Sequence, residues 1–315
     1  MIRDVFKAEL PIEEKFCIKK NVITSGNSPK RVCIVTGTHG DELEGQYVAF
    51  KLNHILNNNL DKLDGTVEIY PALNPLGIDS IQRGIPNFDI DMNRIFPGSL
   101  VGSMSEVAAH YIVEDLSGAD VVIDIHSSNI FLREIPQVRI NVNLQSTLVP
   151  LANLLNMDFI WVHEAATVLE STLAHSLNII GTKTLVVEMG VGMRINHDCC
   201  EQLIEGIFNL LTSMQMWNDK CNDNKVRKVK TPVLSVGDSV SFINAEKSGI
   251  FITDSHVNSN VKKGQRIGMI VSSLTGEILE DVIAPVDGLM FTLRAYPVVY
   301  EGSLLARIHV FKENV

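Results

Sequence analysis

Residues 34–45 read IVTGTHGDELEG and pass from an apolar run, through a turn bracketed by glycines, into a stretch with helical spacing. The segment predicts a buried strand followed by a helix, with His39 and Glu42 leaving the carboxyl end of the strand, where open α/β sheets build their sites. Residues three apart at a helix start share a face, so the pair can close on one cation. Alone, the pair is equally consistent with a histidine in a turn beside a solvated glutamate at the start of a helix, where the helix dipole favours a negative charge.

A second strand end carries another histidine. Residues 121–128 read VVIDIHSS, an apolar run that ends in small polar residues. Asp124 and His126 are two apart on the predicted strand, so they share a face and the aspartate can orient a metal-bound imidazole. Together with His39 and Glu42, His126 completes two histidines and one carboxylate with a free fourth position, the pattern of catalytic zinc. The structural alternative is a strand-end histidine that Asp124 satisfies.

A lone carboxylate, Glu188, interrupts the apolar run TLVVEMG at residues 184–190. An unpaired buried charge is costly, so Glu188 needs a partner or a task. Beside zinc, the task would be that of a general base, which takes a proton from the attacking water and passes it to the leaving amine. The alternative is an ion pair with Arg194 or Lys183.

The stretch QRGIPNFDIDMNRIFPG at residues 82–98 is punctuated by Gly and Pro and predicts a long ordered loop. It carries Arg83, Asn93 and Arg94. A guanidinium offers a planar fork for a substrate carboxylate and a fixed positive charge for a developing oxyanion. Alternatively, both arginines pair with Asp89 and Asp91 and simply hold the loop.

From about residue 31 to residue 217, short β-branched runs alternate with stretches of helical period, which predicts a sheet with helices on both faces. The predicted strands are Val32 to Thr36, Val67 to Ala72, Val121 to His126, Val138 to Val142, Phe159 to Val162 and Thr184 to Met189. The predicted helices are Asp41 to Leu56, Ser105 to Leu116 and Cys200 to Trp217. Ser105 is expected to cap the second helix and Gly118 to end it.

The chain of 315 residues can form one large domain plus a small one, and its 45% hydrophobic and 20% charged residues are ordinary for a globular protein. A formal net charge of −10 disfavours nucleic-acid binding. No apolar run reaches the length of a bilayer span and no signal-peptide pattern begins the chain, so we expect a cytoplasmic protein without a membrane partner. Five scattered cysteines fit a reducing compartment.

Residues 231–312 are rich in Val, Ile, Gly and Ser with frequent turn signals, which predicts a small all-β domain at 229–315 after a catalytic domain at 1–228. Motifs at 245–251, 261–265 and 283–288 resemble the repeated turns of biotinyl and lipoyl carrier domains, which implies a barrel-sandwich-like fold. A carrier needs a lysine at its hairpin tip, but residues 272–277 read SSLTGE. Covalent cofactor attachment is therefore not expected, and the module is expected to pack beside the active site or to form a homo-oligomer contact.

Four motifs carry a family resemblance. GTHGDE at 37–42, DMNRIFPG at 91–98, DIH at 124–126 and VEMG at 187–190, in that order, resemble the succinylglutamate desuccinylase and aspartoacylase family, which is related to zinc carboxypeptidases. The resemblance covers about residues 31–195. It implies an α/β fold with a carboxypeptidase-like mixed sheet flanked by helices.

The resemblance also implies roles for individual residues. One Zn²⁺ per chain would be bound by His39, Glu42 and His126, and Glu188 would be the base. By motif position, Asn93 and Arg94 resemble the pair that grips a substrate carboxylate, and Arg83 resembles the arginine that polarises the scissile carbonyl.

The predicted function is that of a zinc-dependent amidohydrolase, or deacylase. It would hydrolyse the amide bond of a small N-acyl amino acid, or a related N-acylated amine bearing a carboxylate, through a metal-activated water. The first alternative is a metallo-carboxypeptidase that acts on short peptides, because the same residues serve both reactions. The second is a non-catalytic binding protein on the same fold, which metal analysis would distinguish.

Overall fold

A computed structural model describes residues 1–86, 90–164, 170–218, 230–237 and 239–311. Two sequence-based predictions fall on residues outside these ranges. They are the domain boundary between residues 228 and 229 and the role of Asp89 as a partner of the loop arginines.

The described chain contains strands and helices that alternate up to residue 213 and strands thereafter. The strands are β1 (Ile2–Glu9), β2 (Lys15–Ser25), β3 (Arg31–Val35), β4 (Gly65–Tyr70), β5 (Val121–Ser127), β6 (Leu132–Asn141), β7 (Phe159–His163), β8 (Thr184–Gly190), β9 (Val233–Val236), β10 (Val240–Asn244), β11 (Gly249–Ile252), β12 (Ser259–Val261), β13 (Arg266–Val271), β14 (Ile278–Ile283), β15 (Gly288–Arg294), β16 (Val298–Val299) and β17 (Leu304–Val310). The helices are α1 (Glu44–Asn57), α2 (Pro75–Ser80), α3 (Met104–Leu116), α4 (Gln145–Ala152), α5 (Leu173–Ile179) and α6 (His197–Ser213).

The main sheet is mixed. Its strand order is β1-β2-β4-β3-β5-β8-β6-β15-β17-β10, with β7, β9 and β12 attached to the side of this path. The centre is parallel, because β3 pairs in parallel with β4 and β5, and β5 with β8, whereas β6 runs antiparallel to β8. A second, antiparallel sheet of order β14-β13-β11-β16 lies towards the C-terminus. The predicted fold class is confirmed.

The central strands are apolar on both faces because helices cover both. In β3, Val32 and Ile34 pack into a core that includes α1 and α6, whereas Cys33 and Val35 pack into one that includes α3 and α5. Continuous apolar runs are typical of such strands. The polar residues that end β3, β5 and β8 therefore emerge together at the carboxyl edge of three adjacent parallel strands.

Three predicted helix starts are wrong. Helix α6 runs from His197 to Ser213 rather than from Cys200 to Trp217. Helix α3 is capped by Ser103, whose side chain accepts a hydrogen bond from the Glu106 backbone while the Glu106 carboxylate accepts one from the Ser103 backbone, a capping box. The predicted cap, Ser105, is buried inside the first turn. Helix α1 begins at Glu44 rather than at Asp41, so Glu42 lies in the turn before the helix and not on its face.

C-terminal strands are continuous with the main sheet. Strand β15 pairs with β6, with Thr292 opposite Glu134, and β9 pairs with β7. Residues near the C-terminus are thereby brought next to the strands that carry the candidate site. Among the described residues, no helix is both long enough and apolar enough to cross a bilayer.

A buried polar cluster joins strand β2 to strand β4 and helix α3. The Lys20 ammonium lies 3.1 Å from a Glu68 carboxylate oxygen and 2.7 Å from one of Asp115, and the Tyr70 hydroxyl donates to Glu68 at 2.8 Å. The side chains of Lys20 and Glu68 are each only 6% exposed. Pairing within the cluster is what makes burial of these charges tolerable.

We expect Lys20→Met to lower the free energy of unfolding by about 3 kcal/mol, because it leaves a buried carboxylate without one of its cations. Equilibrium denaturation in urea measures the change. Lys19→Met is the matched control, since Lys19 lies on the same strand but is exposed, and it should unfold like the parent. Equal stability of both variants would show that the cluster does not hold the N-terminal strands.

Candidate metal centre and the cavity around it

Two histidines converge on one carboxylate. The Nδ1 atom of His39 lies 2.7 Å from Oε1 of Glu42, and the Nδ1 atom of His126 lies 2.9 Å from Oε2 of the same side chain. One donor atom from each residue lies within 4.8 Å of the other two, and all three residues are buried. The structure therefore brings together the three predicted metal ligands.

Each imidazole is backed by a second carboxylate. The Nε2 atom of His39 lies 3.0 Å from Asp91 Oδ1, and the Nε2 atom of His126 lies 3.2 Å from Asp124 Oδ2. The His39–Asp91 contact is a hydrogen bond of the kind by which metal-binding histidines fix their ring and tautomer, whereas the His126–Asp124 contact has an ion-pair distance without hydrogen-bond geometry. Asp124 was expected in this role, whereas sequence reasoning treated Asp91 only as a partner of the loop arginines. Two oriented imidazoles and a carboxylate are a donor set that fits zinc.

The electrostatics of the cluster favour an ionised Glu42. Burial alone would raise the pKa of this carboxyl, but the neighbouring charges of His39 and His126 outweigh burial and hold the pKa well below its usual value. Burial would lower the pKa of His126, but the charges of Asp124 and Glu42 raise it well above its usual value. The carboxylate is thus available as an anionic ligand.

The backbone of the turn after β3 explains why the sequence is glycine-rich there. Gly37 has φ of +66°, and a Cβ at this position would come within 2.8 Å of the Pro71 carbonyl oxygen. At Gly40, a Cβ would lie 2.0 Å from the carbonyl carbon of Gly77 in α2. Only glycine permits this close packing. The turn, rather than a helix face, delivers His39 and Glu42 to one point.

A single cavity of about 540 Å³ lies over the cluster. Its walls include every residue that the sequence predicted for the site, namely His39, Glu42, Arg83, Asn93, Arg94, His126 and Glu188. The cavity lies at the carboxyl edge of the sheet, where the topology leads one to expect a ligand. Its volume is in the range of small-ligand pockets.

Glu188 enters the cavity from β8, directly across the ladder from His126 on β5. Its Oε1 atom accepts a hydrogen bond of 3.0 Å from Arg139, and no described residue donates to Oε2. Burial raises the pKa of Glu188, and the charge of Arg139 opposes that rise. The ion-pair partner is therefore Arg139, and the predicted alternatives, Arg194 and Lys183, are wrong.

The loop arginines differ from each other. Arg83 lies 3.0 Å from Glu42 Oε1 and 3.3 Å from Asp91 Oδ2. Its contact with Asp91 agrees with the structural alternative, whereas its contact with Glu42 was not predicted. Arg94 is exposed to the cavity and donates to the Asn93 carbonyl oxygen at 2.7 Å, and no carboxylate pairs with it in the part of the chain that the structure describes. Asn93 is fixed by accepting from the Leu173 backbone at 2.9 Å.

Three charged residues of the cavity were missed from the sequence. They are Glu134, Arg139 and Arg307, which line the cavity beside Glu188. Glu134 and Arg139 lie on β6, and Arg307 lies on β17, 173 residues after Glu134 in the chain. Arg139 lies inside the predicted strand Val138 to Val142, and its charge there was the available signal, whereas Glu134 precedes that prediction because β6 begins at Leu132. Only the sheet order shows which strands are neighbours.

The fold and the clustered donors define an α/β protein with a candidate metal centre at the carboxyl edge of its sheet. A sequence model of the Succinylglutamate desuccinylase/Aspartoacylase catalytic domain matches residues 28–214. The chain therefore belongs to this family of deacylases, as its motifs predicted. A curated relative, the N-alpha-acetyl-L-2,4-diaminobutyric acid deacetylase of Halomonas elongata, is 34% identical over 120 residues. That match spans 38% of this chain and only about a third (34%) of the relative.

Solved structures share the fold over nearly the whole chain. A succinylglutamate desuccinylase/aspartoacylase from Rhodobacter sphaeroides aligns with a TM-score of 0.82 at 23% identity, covering 98% of this chain and 95% of the other. A succinylglutamate desuccinylase from Silicibacter sp. gives a TM-score of 0.85 at 21% identity, with 99% and 95% covered. The product-bound ectoine utilization protein EutE (DoeB) from Ruegeria pomeroyi gives 0.82 at 20% identity, with 97% and 93% covered. At these identities the likeness establishes the fold.

Proposed function

We propose that this protein is a zinc-dependent amidohydrolase that removes the acyl group from a small N-acylated amino acid or a related N-acylated amine. The observation that carries the proposal is the convergence of His39, Glu42 and His126, with donor atoms within 4.8 Å of one another, in a cavity that Glu188 also lines. Two imidazoles and one carboxylate would hold one zinc ion with a position left open.

When bound, zinc would polarise the amide carbonyl and make water a stronger acid. Glu188 is suited to accept the proton of the attacking water, because one of its oxygens is anchored by Arg139 while the other takes no hydrogen bond from the described residues. The same carboxyl would then protonate the leaving nitrogen. A carbon–oxygen bond forms, the carbon–nitrogen bond breaks, and a carboxylic acid and an amine leave.

The loop residues would bind the substrate. Arg83, held beside the cluster by Glu42 and Asp91, supplies positive charge where the carbonyl oxygen becomes an oxyanion. Among the described residues no carboxylate pairs with the Arg94 guanidinium, and Asn93 beside it is buried and held by the Leu173 backbone. This pair would bind the substrate carboxylate.

The substrate class can be tested directly. The name of the Halomonas elongata relative describes an N-acetylated amino acid as its substrate, and we expect the same general class here. Release of amine should be measured with N-acetyl, N-succinyl and N-formyl amino acids, including N-acetyl-2,4-diaminobutyrate, and with short unmodified peptides. Turnover of acylated amino acids alone supports the deacylase. Preferential release of C-terminal residues from peptides would instead support the carboxypeptidase, and no turnover with no bound metal would support a binding protein.

We expect Arg94→Met to lower kcat/KM for a substrate that carries a carboxylate by about 10- to 100-fold, since a hydrogen bond to a charged group contributes about 1.5–3 kcal/mol. Most of the loss should fall on KM. Steady-state kinetics should be compared for an N-acetyl amino acid and for its amide, which lacks the carboxylate.

Arg133→Met is the matched control, because Arg133 is exposed on β6 and does not line the cavity. It should retain the kinetics of the parent with both substrates. An equal loss with both substrates in Arg94→Met would show that Arg94 does not bind the carboxylate.

A further inference from the structure

A buried carboxylate, Glu134, forms part of the cavity wall and accepts hydrogen bonds from three donors. Its Oε1 atom accepts from Arg307 at 2.6 Å and from the Thr292 hydroxyl at 3.0 Å, and its Oε2 atom accepts from Arg139 at 2.6 Å. The Glu134 side chain is 0% exposed. Removing a charge from water is costly, so this full set of partners is needed to keep an ionised glutamate here.

Arg139 uses two different nitrogens for two different carboxylates. Its Nη2 atom donates to Glu134, and its Nη1 atom donates to Glu188 at 3.0 Å. Because the guanidinium is planar and rigid, fixing one end by Glu134 fixes the direction of the other. The position of Glu188 Oε1 therefore depends on the position of Glu134.

The aromatic ring of Trp161 on β7 reinforces this geometry. The guanidinium carbon of Arg139 lies 5.7 Å from the ring centroid and that of Arg307 lies 5.5 Å from it. Both distances are within the range of a cation–π contact. One tryptophan thus contacts the two arginines that pair with Glu134.

The strands that hold Glu134 come from far along the chain. Thr292 lies opposite Glu134 in the pairing of β15 with β6, and Arg307 lies opposite Thr292 in the pairing of β17 with β15. The three residues form a row across three adjacent strands. The C-terminal strands therefore complete a chain of contacts that ends at Glu188.

We propose that Arg139 is the positioning residue of Glu188, and that Glu134, clamped by Thr292 and Arg307 of the C-terminal strands, holds Arg139 in place. The C-terminal strands thereby act on catalysis through one ion-pair chain. The proposal rests on the proposed role of Glu188 as general base. A base must be held in the geometry of proton transfer, and displacement by about 1 Å is enough to lower the rate about 100-fold.

The first test concerns Arg307, the residue of the ion-pair chain that lies farthest from Glu188. Arg307→Met should lower kcat about 10- to 100-fold with KM within about twofold of the parent, since only the alignment of the base is lost. Arg307 contacts Glu134 through one nitrogen, so Arg307→Lys should restore most of the lost kcat. Arg266→Met is the control, because Arg266 lies on β13 outside the cavity and pairs with Asp281. The Arg266→Met variant should have the kcat of the parent.

The second test concerns the bridging residue itself. Arg139→Lys should not restore the kcat lost in Arg139→Met, because a single ammonium cannot bridge both carboxylates. Zinc content and melting temperature are measured for each variant, and kinetics are recorded well below the lowest melting temperature. If Arg139→Met does not fold, the Arg307 series still tests the proposal.

The outcomes separate this proposal from the proposed function. Loss of kcat in Glu188→Gln together with parental kcat in folded Arg139→Met and Arg307→Met overturns the positioning role alone. A rise in KM with unchanged kcat in Arg139→Met also overturns it, because Arg139 would then bind the substrate. Parental activity in Glu188→Gln overturns the role of the base itself. Loss of kcat in both methionine variants, with rescue by Arg307→Lys only, supports the proposal.

Discussion

Glu188→Gln is expected to lower kcat by about 10²- to 10⁴-fold, the usual contribution of a general base. The amide keeps the size of the side chain and its ability to accept from Arg139 at Oε1, which now lies 3.0 Å from Nη1, but it cannot take up a proton. Zinc content should remain one ion per chain, because Glu188 is not among the three converging ligands. Steady-state kinetics with an N-acyl amino acid and metal analysis of the same sample measure both quantities.

Glu114→Gln serves as the control for this substitution, since Glu114 is an exposed residue of α3. It should have the kcat of the parent. Retention of activity in Glu188→Gln would remove this residue from the mechanism, whereas a loss accompanied by loss of zinc would assign it to the metal centre.

His126→Ala is expected to abolish zinc binding at stoichiometric concentrations and activity with it. Removing the ligand His126 should weaken zinc binding more than removing the Asp124 carboxylate that contacts it. Carboxylates that contact a metal-binding histidine contribute about 10- to 100-fold to metal affinity. We therefore expect Asp124→Asn to weaken zinc binding by about 10- to 100-fold and His126→Ala to weaken it by more than about 100-fold. Competition titration with a chromophoric chelator measures the affinities.

His54→Ala is the matched control, because His54 is an exposed residue of α1 away from the cavity. It should bind zinc like the parent. The opposite order, with Asp124→Asn more damaging than His126→Ala, would show that His126 does not bind the metal.

Local patterns in the sequence predicted the parts of the fold that depend on neighbours in the chain. The apolar run ending at His126 was placed as a strand at Val121 to His126, and the structure has Val121–Ser127. The cap of α3 was misplaced by two residues because serine at position 103 or at position 105 is a good cap. Only the position of Glu106, three residues after Ser103, distinguishes them, since it allows the reciprocal hydrogen bonds of a capping box.

The residues of the candidate site also divide into those that the local sequence could predict and those that depend on strand pairing. His39, Glu42 and His126 could be proposed because each ends a recognisable strand, and ends of parallel strands meet at one edge. The contact of Glu188 with Arg139 could not be predicted from the sequence, because it depends on the antiparallel pairing of β6 with β8. The contribution of Arg307 depends in addition on the pairing of β15 with β6, which the division into two sequence domains concealed.

We propose above that His39, Glu42 and His126 bind one zinc ion per chain. Anomalous scattering measured from crystals of the zinc-loaded protein, on both sides of the zinc absorption edge, tests it most directly. The expected result is one strong peak per chain within bonding distance of one atom from each of these three side chains. A peak elsewhere with none at this cluster, or no peak in crystals grown with zinc, would contradict the claim.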